Sequence, residues 1–403
     1  MSINIKQIED KYFMCTYKRI SFVVKKAKNQ FIWDNKNRKY LDFFAGISVC
    51  NLGHCNNKVL KAIKLQLDNF AHVSNLYYAP VQVKLGEELA KRAFPKARVF
   101  LANSGAEANE CAIKLARKWG YLNPSKFGNR YEIICFNNSF HGRTMATMAA
   151  TGQKKFHNYL KPLQEKFVFA EFNDINSIKK LINNRTVAIM IEPVQGEGGI
   201  VPAEKKFLKD LRVFCDKNNL LLIFDEIQCG IGRTGKFYAF ESFGVKPDIV
   251  TMAKSLANGL PLGAVVAGKK CANAFTYGDH GSTFGGNPVS CAAALAVSKM
   301  MTVKFLYNSS KISYYLRKKL EVLKNKYSII KEVRGIGLML GVDLTISGKD
   351  IVNYCLEKRL IINCTHDTVL RLLPPLIITK KDVNCAMKIL EEALKWQERI
   401  LKK

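Results

Sequence analysis

Three short apolar runs in this chain each deliver residues that can do chemistry. Val99–Ala102 runs into Asn103-Ser104-Gly105-Ala106, and a segment follows in which Ala108, Cys111, Ala112, Leu115 and Trp119 share one helical stripe. Ser104, Gly105 and Ala106 thus offer a hydroxyl and free amide N–H groups at the positive end of a helix, which suits a phosphate. They suit equally a plain strand-to-helix turn with a serine cap. Leu220–Phe224 is apolar throughout and ends in Asp225. A carboxylate at a buried strand end needs a cationic partner, and a protonated pyridine nitrogen would be one; the alternative is an aspartate that caps the next segment. Ile249–Met252 carries Lys254 into a loop of small residues, 29 positions beyond Asp225. A lysine amine in a closed cleft can lose its proton and condense with an aldehyde. By position alone, a solvated surface lysine is the better reading in so lysine-rich a chain.

Such strand ends meet only if a sheet holds them together. From about Ala62 to Val303, apolar runs (also Glu132–Phe136 and Val187–Ile191) alternate with amphipathic helices such as Ala106–Trp119 and Glu204–Asn218. That alternation predicts an α/β fold with a mainly parallel sheet flanked by helices, in which ligands gather at the carboxyl ends of strands. Phe31–Trp33 and Lys39–Phe44 read as strands around an Asp34-Asn35 turn. Beyond Phe305 a helix over Ser310–Lys326, a strand over Gly337–Leu344, a further strand pair and a closing helix over Lys380–Leu401 make a smaller α+β unit. The expected division is 1–61 as an N-terminal segment joining the small domain, 62–305 as the large domain and 306–403 as the C-terminal small domain.

Composition narrows the function classes. The net charge of +30 comes from lysines spread along the whole chain, with no basic tail and no nucleic-acid module, so no nucleic-acid partner is expected. A diffuse positive field favours anionic small molecules. The first ten residues lack the apolar core of a signal peptide, and no run approaches membrane-span length, so a cytoplasmic protein with no membrane partner is predicted. Twelve cysteines without C-x-x-C spacing and six scattered histidines predict reduced thiols and no metal site.

Seven motifs, in order, carry a resemblance. They are Asn103-Ser104-Gly105-Ala106-Glu107-Ala108-Asn109-Glu110, Phe140-His141-Gly142-Arg143-Thr144, Glu192-Pro193-Val194-Gln195-Gly196-Glu197-Gly198-Gly199, Asp225-Glu226-Ile227-Gln228, Gly232-Arg233-Thr234-Gly235, Ala253-Lys254 and Gly281-Ser282-Thr283-Phe284-Gly285-Gly286-Asn287-Pro288. Together they resemble the class-III pyridoxal-phosphate-dependent aminotransferases over nearly the whole chain. Within that family, His72-Val73-Ser74-Asn75-Leu76-Tyr77-Tyr78, Val333-Arg334-Gly335-Ile336-Gly337-Leu338-Met339 and Leu370-Arg371-Leu372-Leu373-Pro374-Pro375 are most similar to the acetylornithine branch.

The resemblance implies a fold-type-I large domain with pyridoxal 5'-phosphate as cofactor. It implies Lys254 as the cofactor-bearing lysine and proton shuttle, Asp225 on the pyridine nitrogen, Gln228 near the ring's phenolic oxygen, Phe140 stacked on the ring and Ser104-Gly105-Ala106 on the phosphate. It implies a homodimer in which Thr283, with Ser282 beside it, reaches the phosphate or substrate of the other subunit. Arg143 and Arg371 then hold carboxylates of acetylornithine, glutamate or 2-oxoglutarate, and Glu197 gates Arg371. The rivals within the family are ornithine, 4-aminobutyrate and succinyl-diaminopimelate aminotransferases; a non-catalytic binding protein on the same fold is the distant alternative. The ornithine enzymes typically carry Trp where this chain has His141. Departures also exist: Gly53-His54-Cys55-Asn56-Asn57 stands where Gly-His-x-His-Pro is usual, glycines are missing around Lys26–Asn29, and Ser21 replaces a proline.

Overall fold

The computed structural model describes residues 5–20, 22–158, 160–164 and 166–402; Ser21 and the first four residues, noted above, lie outside them. The apolar runs become strands of one seven-stranded sheet. In spatial order these are Arg98–Ala102, Gly263–Ala267, Ile249–Met252, Leu221–Asp225, Thr186–Ile191, Glu132–Phe136 and Phe167–Ala170. All run parallel except Gly263–Ala267, which is antiparallel to both neighbours.

The runs are continuously apolar because both faces of the sheet are covered. Successive side chains point to opposite faces. Ile134, Phe136, Ile189, Ile191, Leu222 and Phe224 enter one core, while Ile133, Cys135, Ala188, Met190, Leu221 and Ile223 enter the other. The second core is closed by the helix Gly105–Leu122 through Ala108, Cys111, Ala112, Leu115 and Trp119, the stripe expected from the sequence.

A second sheet takes the order Ile330–Ile336, Met339–Leu344, Val369–Leu372, Asn363–Thr365, with the helix Lys380–Leu401 closing the chain. Near the N-terminus Val24–Lys28, Phe31–Asp34 and Lys39–Asp42 form a meander, and Leu360–Ile361 pairs in parallel with Leu41–Asp42. The departures have local answers here. Asn29 adopts φ +52° at the hairpin, a left-handed conformation that Asn tolerates in place of Gly. Asn56 caps the helix Asn57–Leu67, accepting from Lys58 N at 3.0 Å and Val59 N at 3.4 Å.

Some expected bounds shift. The helix expected from Ser310 starts at Val303, because Thr302 caps it by accepting from Phe305 N at 3.2 Å. The strand expected from Gly337 starts at Met339; Gly337 is a turn residue at φ +61°, so close to Arg233 that a Cβ would meet its carbonyl oxygen at 2.2 Å. The strands Ile330–Ile336, Phe167–Ala170 and Gly263–Ala267 had no counterpart in the sequence reading.

Candidate active site

The carboxyl ends of the central strands open into a cavity of about 450 Å³. Its wall includes Ser104, Gly105, Ala106, Phe140, Arg143, Asp225, Gln228 and Lys254, which converge from four separate chain segments. Ser104 does cap the helix, accepting from Glu107 N at 3.2 Å, and Gly105 and Ala106 of that first turn line the cavity. Gly105 is also a steric requirement: a Cβ there would lie 2.8 Å from the Ile227 side chain.

Asp225 is buried and thoroughly held. Its Oδ2 accepts from His141 Nδ1 at 2.7 Å and from Asn109 Nδ2 at 2.8 Å, and its Oδ1 accepts from Ile227 N at 3.0 Å. Burial opposes a charged His141, but the hydrogen bond and charge of Asp225, aided by Glu192, prevail and raise its pKa. Its Nε2 is buried with no partner among the described residues. Glu192 lies behind Phe140, accepting from Phe140 N at 3.0 Å and Gly196 N at 3.2 Å. Burial pushes Glu192 up to about 7, with the Asp225 charge adding and His141 opposing.

Lys254 follows its strand in a left-handed turn at φ +49°, a conformation that a non-glycine residue keeps only when its surroundings enforce it. Its amine has no hydrogen bond or ion pair among the described residues. Burial pulls its pKa below the ordinary lysine value; Glu197 opposes this and Arg371 adds to it. Next to it, Arg371 Nη1 meets Glu197 Oε1 at 2.5 Å, with Gln228 between them (Nε2 to Glu197 Oε1 3.3 Å; Oε1 from Arg371 Nη1 3.4 Å). Asn363 supports the guanidinium from the far side, accepting from Nε at 3.1 Å. Burial would raise Glu197, yet the Arg371 charge and hydrogen bond win and hold it below the usual range. Arg143 is exposed at the mouth, its guanidinium 4.0 Å above the Phe156 ring and without an ion-pair partner among the described residues.

Ser282 and Thr283 do not join this cavity. Ser282 Oγ is tied to Gly285 N at 2.9 Å and Asn103 Nδ2 at 3.2 Å, and Thr283 is exposed beside His72–Asn75. No group of three or more His, Cys, Asp or Glu among the described residues is placed to hold a metal ion.

A free amine, a fixed carboxylate and a helix N-terminus surround one space, and this donor set fits an aldehyde, a ring nitrogen and a phosphate. Residues 12–394 match the family Aminotransferase class-III. The chain is 49% identical to the acetylornithine aminotransferase of Methanocaldococcus jannaschii over 96% of each protein. It is 46% identical to that of Caldanaerobacter subterraneus subsp. tengcongensis, over 96% of this chain and 98% of the relative. The chain is a class-III aminotransferase.

Solved structures agree with the fold. An ornithine aminotransferase from Toxoplasma gondii superposes with a TM-score of 0.93 at 30% identity, covering 98% of this chain and 95% of that one. The N-acetylornithine aminotransferase from Stenotrophomonas maltophilia superposes with a TM-score of 0.83 at 34% identity, covering 98% and 99%. Class-III aminotransferases use pyridoxal phosphate, and the fold of this one is fold type I. Sequence reasoning gave no role to Asn109, His141 or Glu192 in this class-III aminotransferase. All three stand inside the motifs, but their partners are 116, 84 and 52 residues away, so only the folded chain exposes the contacts.

Proposed function

We propose that this aminotransferase moves the δ-amine of N2-acetylornithine to 2-oxoglutarate, giving N-acetylglutamate 5-semialdehyde and glutamate, as a step of arginine biosynthesis. The observation that carries the reading is the Arg371–Glu197 pair, 2.5 Å apart and set beside the Lys254 amine. A site that alternates between two amine donors needs a cation that one donor uses and the other leaves neutralised.

Bound pyridoxal phosphate supplies an aldehyde to take the amine and an aromatic ring to take the electrons. In our reading the amides of Gly105 and Ala106, with Ser104, hold the phosphate. Asp225 faces the ring nitrogen, Gln228 the phenolic oxygen and Phe140 the ring face. Lys254, its proton affinity reduced by burial, takes the proton from the substrate carbon that bears the reacting amine, the δ-carbon in acetylornithine. Arg371 forks onto the α-carboxylate of glutamate or 2-oxoglutarate once Glu197 swings away, a bidentate contact that lysine cannot copy. When the acylated donor is bound, Glu197 returns. Arg143, at the mouth, takes a carboxylate of the donor or the distal carboxylate of glutamate.

The active unit in this reading is a homodimer whose Ser282 and Thr283 serve the neighbouring site. Their exclusion from their own cavity supports this, as do the exposed Leu76, Tyr77, Tyr78 and Phe284 nearby. Mixing Lys254→Ala and Thr283→Ala chains should then restore about a quarter of wild-type turnover, since half the dimers are hybrids with one intact site; no recovery after mixing and refolding would remove the shared site. Residues 1–61 and 306–403 form one unit against 62–305, supported by the pairing of Leu360–Ile361 with Leu41–Asp42. Twelve unpaired cysteines support a cytoplasmic location.

An ornithine-type donor is the second reading, favoured by the Toxoplasma gondii neighbour. Half-reaction rates with acetylornithine, ornithine, 4-aminobutyrate and succinyl-diaminopimelate, read from the cofactor spectrum, decide between them. Acetylornithine should be fastest; a faster ornithine reaction would overturn the first reading.

A further inference from the structure

Asn109 lies one helical turn beyond Gly105, fully buried in a stripe that is otherwise apolar. Every polar atom of its side chain is engaged. Nδ2 donates to Asp225 Oδ2 at 2.8 Å and to the His141 carbonyl at 2.7 Å, while Oδ1 accepts from Thr251 Oγ1 at 2.7 Å. A carboxylate and a carbonyl can only accept, so the amide NH2 must face them and Oδ1 must face the strand Ile249–Met252. The flipped amide would turn an oxygen against both the Asp225 carboxylate and the His141 carbonyl, and the buried Thr251 hydroxyl completes the observed arrangement by donating to Oδ1.

We propose that Asn109, locked by Thr251, is the positioning residue that aims Asp225 at the cofactor's ring nitrogen. The inference rests on the reading of this cavity as a pyridoxal-phosphate site. One helix then sets both ends of that site: its first amides face the phosphate, and its next turn grips the carboxylate across the cavity. Asp225 already receives a bond from His141 on the same oxygen. Two donors converging on Oδ2, with Ile227 N on Oδ1, leave one rotamer for the carboxylate.

The test compares two ligands on apoenzyme: pyridoxal phosphate, and its 1-deaza analogue, in which a C–H replaces the ring nitrogen. Affinities are read by fluorescence quenching for wild type, Asn109→Ala, Thr251→Val and Thr251→Ser. Thr251→Val is isosteric and keeps the strand even if Asn109→Ala fails to fold. Both Asn109→Ala and Thr251→Val should weaken pyridoxal phosphate about tenfold, the scale of one charge-assisted hydrogen bond, and the deaza analogue less than about twofold. Thr251→Ser, which restores the hydroxyl, should bind like wild type. Equal weakening of both ligands, or of neither, overturns the positioning role. Wild type that binds both ligands equally would instead sink the Asp225–nitrogen contact beneath it, and the proposal with it.

Discussion

Glu197→Gln isolates the charge of the proposed gate from its shape. The glutamine keeps an acceptor near Arg371 and a neighbour for Gln228, but no longer neutralises the guanidinium. In the native site Arg371 is almost fully buried and its Nη1 lies 2.5 Å from Glu197 Oε1, while the glutamate side chain is 29% exposed. A hydrogen bond to a charged group contributes about 1.5–3 kcal/mol, and the exposed part of Glu197 argues for the lower end, about 1.5 kcal/mol. Glutamate must displace that bond before its α-carboxylate can reach Arg371, so its kcat/KM should rise about tenfold in the variant. The acylated donor instead finds Arg371 buried without a counter-charge, and its half-reaction should slow by a similar factor. Stopped-flow single turnovers with each donor, followed through the cofactor spectrum, give the two rates separately. If both half-reactions change by the same factor, Glu197 is no gate and Arg371 binds both substrates alike.

Lys254→Ala should leave colourless protein that carries no cofactor after borohydride treatment and washing, and should turn over no substrate; trapping at wild-type yield would move the covalent site elsewhere. Gly263→Ala would place a Cβ 2.2 Å from the Ser104 carbonyl oxygen. It should cost about 1–3 kcal/mol in urea denaturation and weaken cofactor binding as the phosphate turn is pushed aside; unchanged affinity would show that the turn does not hold the phosphate. Burial pulls His54 down, but its hydrogen bond to Asp42, with Cys50 beside it, lifts it to about 10. Its contribution is therefore full below the unfolded value of about 6.5 and fades as pH rises through about 10, so the stability advantage of wild type over His54→Gln should shrink across that window in thermal melts; a constant difference would refute the pairing.

What could be read from the sequence was the part carried by burial on two faces. Leu221–Asp225 and Ile249–Met252 stand out because both their faces are covered, so no polar residue interrupts the first before Asp225 and only Thr251 interrupts the second. Gly263–Ala267 did not stand out. Its residues, Gly-Ala-Val-Val-Ala, are small, with Gly263 passing close to Ser104, and small residues give no periodicity. Ile330–Ile336 hides for the opposite reason: Lys331, Glu332 and Arg334 interrupt an edge strand, where one side meets solvent and Arg334 pairs with Glu332 and Asp343. Contacts between distant residues were the least legible. Asn109 looks like an ordinary polar position between Ala108 and Glu110 until the fold brings Asp225 and Thr251 to it.

The cavity's charges explain why the site is built from strand ends rather than loops. Asp225, Glu192, Glu197, Lys254 and Arg371 lie close enough that their charges act on one another's protonation. Strands with both faces packed cannot slide without opening voids in two cores at once. Asp225 ends one of these strands and Lys254 follows another by two residues, and in the proposed mechanism these are the groups whose positions must not vary between the two half-reactions. Glu197, the proposed gate, sits instead in the segment after Pro193, partly exposed and held by the ends of long side chains. Rigidity and mobility are thus divided according to what each group has to do, and replacing the Glu197 segment should alter donor preference long before it alters cofactor binding.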